Sequence, residues 1–200
     1  MTVLAILRHG LTDWNVERRL QGQHDTTLND AGRAMVGAWR LPEELAALPV
    51  VASPLLRCRE TAEILAANHP GLGPISFDDR LMEKHYGIWE GRTLHEMEDE
   101  LGADAHAADH RPEGGESRQD VLPRISDFLA DMAAQAAPRI VVTHRGIIRT
   151  VYALATGWNL VGETPDEMSR RRAQMFRAMP DGSAEIERLN VALKAGSATP

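Results

Sequence analysis

A chain of 200 residues is long enough for one domain with a sizeable core and short for two. Its 43% apolar and 26% charged residues are the balance of a folded globular protein, which excludes a chain that is mainly disordered. A net charge of −7 excludes a general basic surface for nucleic acid, so an anionic ligand must be captured by a few cations gathered in a pocket. The single cysteine, Cys58, allows no intrachain disulfide and fits a reducing compartment. No basic and apolar leader precedes the first motif, and no apolar run approaches the length of a membrane span. The expectation is a cytoplasmic protein that engages neither nucleic acid nor membrane.

Val3 to Leu7 is a continuous apolar run, the pattern of a strand buried on both faces, and it stops at Arg8-His9-Gly10. Asn29 reads as a helix N-cap, with Met35, Val36 and Trp39 on an apolar stripe behind it. Pro49 to Ala52 is a second short buried strand. Ser53-Pro54 then predicts a helix start, with Ser53 as the cap and Pro54 in the first helical position. That helix carries Leu56, Ile64 and Leu65 and ends before Pro70. Ile75 to Phe77 is a third strand, leading into a loop that holds Leu81, Glu83 and Gly87. Residues 92 to 117 are polar, with little apolar periodicity, and predict a lid or insertion over a site. Val121 to Met132 predicts a helix. Ile140 to Val142 predicts a buried strand ending at Thr143-His144, and Ile147 to Ala155 a further helix. Gln174 to Ala178 and Ala184 to Leu189 flank Pro180-Asp181-Gly182-Ser183 as a hairpin, and the tail after Ala192 is expected to fray. Strands alternating with helices predict a three-layer α/β sandwich, with a mostly parallel central sheet and helices on both faces. No repeat or linker divides the chain, so residues 1 to 200 are read as a single domain.

Arg8-His9-Gly10, the region around Arg57, and Thr143-His144-Arg145-Gly146 each follow a buried strand. The carboxyl ends of strands form the ligand crevice of an open α/β sheet, so this topology gathers two histidines and at least two arginines. Arginine grips phosphate in bidentate fashion and keeps its charge. A neutral imidazole can attack phosphorus, a second can hold phosphoryl oxygens, and a carboxylic acid such as Glu83 can protonate a leaving oxygen.

Each residue also has a plainer reading. His9 alone fits a polar strand end, and His144 a hydrogen-bonded core histidine. Arg57, beside Arg59 and Glu60, fits a solvated helix face. Glu83 lies near Glu90, Glu96, Glu98 and His85, and His85 competes with it as proton donor. His106 and His110 have the i, i+4 spacing of metal ligands on a helix, but no acidic or cysteine partner completes a site, and polar lid surface is the better reading. Cys58 reads as a buried, inert residue. Trp14 and Trp89 line a pocket or belong to the core. Arg170-Arg171-Arg172 reads as a solvated segment before a strand rather than an anion site.

Leu7-Arg8-His9-Gly10 with Thr12 and Asn15 resembles the opening motif of the histidine phosphatase superfamily, the phosphoglycerate-mutase-like proteins. Gln21-Gly22, Asp25, Leu28 and Gly32 continue the match. Ser53-Pro54-Leu55-Leu56-Arg57 with Thr61-Ala62 is similar to its second arginine motif, and Leu81, Glu83, Gly87 and Trp89-Glu90-Gly91 to its acid motif. Gly114-Gly115-Glu116-Ser117 resembles a stretch before its next helix. Val142-Thr143-His144 with Gly146 and Arg149 resembles its second histidine motif. The motifs run in the family's order over roughly residues 3 to 155.

The resemblance implies a metal-independent, cofactor-free enzyme with His9 as the phosphorylated nucleophile. Arg8, Arg57 and His144 would form the phosphate pocket, Glu83 would be the proton donor, and Asn15 and Gln21 further phosphate or substrate contacts. Tyr86 to Thr93 resembles the phosphatase branch, and the compact length agrees with it. The expectation is therefore a phosphomonoesterase acting on a small phosphorylated metabolite. A cofactor-dependent phosphoglycerate mutase is the alternative, and a non-catalytic phospho-ligand binding protein a third reading. Leu11, Thr27 and Arg145 depart from the family pattern. Arg145 matters most, because it puts an extra cation beside the phosphate pocket where the family commonly has glycine.

Overall fold

The computed structural model describes residues 1 to 193. Its six-stranded sheet is built from β1 (Thr2–Arg8), β2 (Val50–Ala52), β3 (Ile75–Phe77), β4 (Arg139–Thr143), β5 (Arg172–Ala178) and β6 (Ala184–Ala192), in the order β3-β2-β4-β1-β5-β6. The first four of that order run parallel, and β5 and β6 add an antiparallel edge beside β1. Strand alternation divides the core. Leu4 and Ile6 of β1 face α5 (Val121–Gln135) and α6 (Arg145–Thr156), where they meet Ile125, Phe128, Leu129 and Val151. Ala5 and Leu7 face α2 (Asp30–Gly37) and α3 (Leu56–Asn68), where they meet Val36, Ala62 and Leu65. Each such large side chain contributes about 1.5–3 kcal/mol relative to exposure. Both faces of the sheet are thereby covered, as the apolar run of β1 predicts.

The helix ends depart from the sequence reading in informative places. Asn29 does cap α2, its Oδ1 accepting the Gly32 N–H at 2.8 Å. Ser53 does not cap the next helix, and Pro54 does not occupy its first turn. The helix α3 begins at Leu56 behind Leu55, with no capping side chain from either. The reason is competition: the Ser53 hydroxyl lies 2.8 Å from His144 Nε2, and Asp25, from a distant loop, accepts the Leu56 N–H instead. The stretch from 92 to 117 also holds more structure than its composition predicts. Thr93 and Glu96 form a reciprocal capping box for α4 (Leu94–Leu101), which buries Met97 against Trp89. A further short helix, α1 (Asp13–Val16), follows the first motif.

The hairpin forms as predicted, Gly182 taking φ +80° and its N–H donating to Met179. Leu193 is buried. Residues 194 to 200, where the rest of the expected frayed tail falls, lie outside the described residues. Among the described residues no helix is long and apolar enough to cross a membrane.

Candidate active site

The parallel pairing brings Arg8 opposite Thr143 and Ala52 opposite Val142, so the carboxyl ends of β1, β2 and β4 finish level. His9, Ser53 and His144 follow those ends directly. The rings of His9 and His144 lie 5.2 Å apart, tilted by 58°. His9 Nδ1 donates to the Gly10 carbonyl at 2.7 Å, and because that oxygen only accepts, the lone pair of a neutral His9 belongs to Nε2. Burial, and after it Arg8 and Arg57, holds the His9 pKa well below 6.5, so the ring is neutral and nucleophilic at neutral pH.

Arg57 is 1% exposed. Its Nη1 donates to the His24 carbonyl at 2.8 Å and its Nη2 to the Gly22 carbonyl at 2.7 Å, while Nε reaches His144 Nδ1 at 3.3 Å. A guanidinium only donates, so His144 accepts at Nδ1 and carries its proton on Nε2, toward Ser53. Burial, then Arg57 and His9, depresses the His144 pKa as well. The local sequence of α3 explains why Arg57 is inside. It lies on the buried face with Cys58, Thr61, Ala62 and Leu65, whereas its neighbour Arg59 is exposed and turned outward. Thr61 ties that face to β1, its Oγ1 accepting the Gly10 N–H at 3.0 Å and donating to the Arg57 carbonyl at 2.7 Å. Arg8 is half-buried, and burial together with nearby Arg170 lowers its pKa to about 10.

Glu83 reaches the same place from the loop after β3. Its Oε2 accepts the Gly146 N–H at 3.1 Å, and its Oε1 accepts the Lys84 N–H at 2.9 Å. The loop is propped from three sides. Arg124 of α5 donates to the Arg80 and Met82 carbonyls, Thr143 Oγ1 to the Leu81 carbonyl at 2.8 Å, and Gln23 Nε2 to the Glu83 carbonyl at 3.1 Å. Gly146 makes the seat possible, since a Cβ there would lie 2.1 Å from Glu83 Oε1. His85, the rival donor, is turned into its own loop, its Nδ1 accepting the Gly87 N–H at 2.9 Å.

Asn15 and Gln21 border the first motif and use their oxygens within the protein. Asn15 Oδ1 accepts the Thr12 N–H at 3.2 Å, and Gln21 Oε1 accepts from the hydroxyls of Thr12 (3.0 Å) and Thr26 (2.6 Å). Trp89 is core, while Trp14 stacks on His24 at 4.6 Å. Burial pushes the Cys58 thiol up to about 12, so it stays protonated despite lying 3.5 Å from His144 Nε2. His106 pairs with Glu98 at 2.9 Å, and the helical turn that would bring His110 beside it ends at His106. Among the described residues no group of three or more His, Cys, Asp or Glu side chains is placed to hold a metal ion.

Ser53, Thr61 and Gly146 are site residues that sequence reasoning left in supporting motifs, because a cap, a helix-interior threonine and a helical glycine all have ordinary local explanations. Arg170 is exposed just before β5, as the solvated reading of the arginine run predicts. It stands on the rim of a cavity that opens beside Arg8.

Known proteins resemble this chain in sequence and in fold. Residues 4–182 match the family described as the histidine phosphatase superfamily (branch 1). A glucosyl-3-phosphoglycerate phosphatase of Mycolicibacterium vanbaalenii is 35% identical over 179 residues, covering 80% of this chain and 78% of its own length. A metal-independent phosphoserine phosphatase of Arabidopsis thaliana is 32% identical over 173 residues, covering 82% and 72%. The solved structure of a mycobacterial glucosyl-3-phosphoglycerate phosphatase with VO3 superposes with a TM-score of 0.75 at 30% identity, over 98% of this chain and 100% of that one.

Proposed function

The chain belongs to the histidine phosphatase superfamily, and from that premise we propose that it hydrolyses a small phosphorylated metabolite through a phosphohistidine on His9. The observation that carries this reading is the free Nε2 of a neutral His9, fixed by Gly10 and flanked by Arg8, Arg57 and His144. His9 Nε2 attacks phosphorus, and the bond to the leaving oxygen breaks as Glu83 gives that oxygen its proton. Arg8, Arg57 and His144 hold the equatorial oxygens, whose spread charge the fixed cations stabilise without reorganising. Ser53 assists, because its hydroxyl can accept from His144 Nε2 or donate to it; in the second arrangement His144 carries its proton on Nδ1 and donates to a phosphoryl oxygen instead of accepting from Arg57 Nε. Water then attacks phosphorus, Glu83 accepts its proton, the P–N bond breaks and inorganic phosphate leaves.

Asn15 and Gln21 offer amide N–H groups to the substrate, the donor type an anion needs. Residues 92 to 117 act as a cover over the leaving group, within a single domain working in the cytoplasm. The phosphatase assignment is preferred to a mutase because Tyr86 to Thr93 resembles the hydrolytic branch and because the relatives above are named phosphatases.

The experiment incubates the enzyme with 3-phosphoglycerate primed with 2,3-bisphosphoglycerate and measures free phosphate and 2-phosphoglycerate together. The expected result is phosphate release with little isomerisation. An acid-labile, alkali-stable phosphoenzyme should accompany it and vanish in His9→Ala along with turnover. Fast isomerisation with negligible phosphate would replace the phosphatase with a mutase, and an active His9→Ala would remove the nucleophile.

A further inference from the structure

The cavity beside Arg8 is about 480 Å³ and is formed by α6, the loop that follows it and the start of β5. Its lining is out of keeping with an acidic chain. Five arginines (8, 145, 149, 170 and 172) line it against two glutamates, 163 and 167. Two of the arginines are occupied elsewhere. Arg149 lies over the Trp158 ring at 4.9 Å and donates to the Gly162 carbonyl, with only a longer 3.6 Å approach to Glu163, and Arg172 donates to the Asn190 carbonyl at 3.1 Å. Arg170 has no ion pair among the described residues. Yet it stands on a fixed stem: the Ser169 N–H donates to Asn190 Oδ1 at 2.8 Å, and the Ser169 carbonyl accepts from Gln174 Nε2 at 3.1 Å. Gln174 is itself 1% exposed.

Arg145 shows what the cavity accepts. Its Nη2 reaches both carboxylate oxygens of Glu163, at 3.1 and 2.8 Å, and Glu163 comes from an exposed loop where its own side chain is 79% exposed. A solvated ion pair of this kind is weak and readily exchanged.

We propose that this cavity is a carboxylate subsite, in which the substrate's carboxylate displaces Glu163 from Arg145 and is shared with Arg170 while the phosphoryl group lies on Arg8, Arg57 and His9. The substrate is thus a phosphomonoester that carries a carboxylate on its carbon skeleton. This rests on the phosphatase reading and adds to it the residues that choose the substrate. The departure at position 145 acquires a purpose: the first residue of α6 puts a cation between the phosphate pocket and the cavity.

The test compares 3-phosphoglycerate with glycerol 3-phosphate, which differ at the carboxylate, with p-nitrophenyl phosphate reporting on the chemistry alone. The acid should be favoured about tenfold or more in kcat/KM, chiefly through KM. Arg145→Met and Arg170→Met should each lower that ratio, and Glu163→Gln should raise it by vacating Arg145. A merely structural Glu163 would not improve the ratio on removal. Equal use of acid and alcohol, with p-nitrophenyl phosphate still hydrolysed, overturns the subsite and leaves the phosphatase. No phosphate from any of the three overturns the phosphatase reading itself. Preference for fructose 1,6-bisphosphate over the acid would overturn the carboxylate assignment in favour of a second phosphate.

Discussion

Arg57 and Arg170 both bear on the site, and they are held in opposite ways. At the carboxyl ends of the parallel strands, Arg57 is sealed inside, with two carbonyls and an imidazole each meeting one nitrogen of its guanidinium and the remaining N–H groups left for phosphate. Beside the antiparallel edge, Arg170 is exposed, its backbone anchored and its guanidinium left to solvent. The same division runs through the other residues. His9, Ser53 and His144 are buried and held by protein groups, whereas Arg145 and Glu163 form an exposed pair. The parallel half thus fixes groups that must meet a transition state without rearranging. The exposed rim, lined by Arg145 at the start of α6 and Arg170 before β5, carries groups that can exchange one anion for another.

The largest effect expected from this division falls on Glu83, in the fixed half. Glu83→Gln should slow an alkyl phosphate by about 10²–10⁴-fold, since its leaving oxygen needs a proton, and an aryl phosphate much less. Measuring kcat on both substrates decides the matter. Equal losses would move the donor role to His85 or make Glu83 structural.

Next comes stability. Arg57→Met strands the buried carbonyl of Gly22 and the partly buried one of His24 and should cost about 3 kcal/mol, whereas Arg170→Met should stay within about 0.5 kcal/mol. Urea titrations of the two variants that moved alike would erase the contrast between the two regions.

The smallest effect is a pH dependence confined to the fixed half. In the fold, His9 and His144 have pKa values well below 6.5, while in the unfolded chain they bind protons near it. Below that value the unfolded state holds more protons, so stability is full above about pH 6.5 and falls as the pH is lowered. The loss is about 1.4 kcal/mol per imidazole one unit lower. Denaturant midpoints should decline over that range, and His144→Asn should flatten the decline. A wild-type midpoint that holds steady to pH 5.5 would mean that these rings titrate normally in the fold.

How much of this was legible beforehand follows the same line. The apolar run of β1 and the Arg8-His9-Gly10 stop announced the central strand and its reactive end, because burial on both faces leaves a mark on every residue. Arg57 was not legible from local pattern, since an arginine beside Arg59 and Glu60 looks the same whether its helix face is wet or dry. Ser53 misled because a serine before proline is a good cap until a histidine 91 positions away claims its hydroxyl. The cavity was harder still. Arg145 and Arg170 stand 25 residues apart, and the loop that brings them to one rim has no periodicity to read.

The contact between Gly146 and Glu83 bears on attempts to harden this protein. A glycine near the start of a 12-residue helix is a standard target, since alanine there is better by up to about 1 kcal/mol. The obstacle is only the end of a flexible carboxylate side chain, which can swing out to solvent as its bonds to the Gly146 and Lys84 N–H groups are exchanged for water. Selection for thermal resistance would therefore welcome Gly146→Ala, and the variant would keep its shape while its acid pointed elsewhere. Melting temperature and turnover are set against each other at one α-carbon.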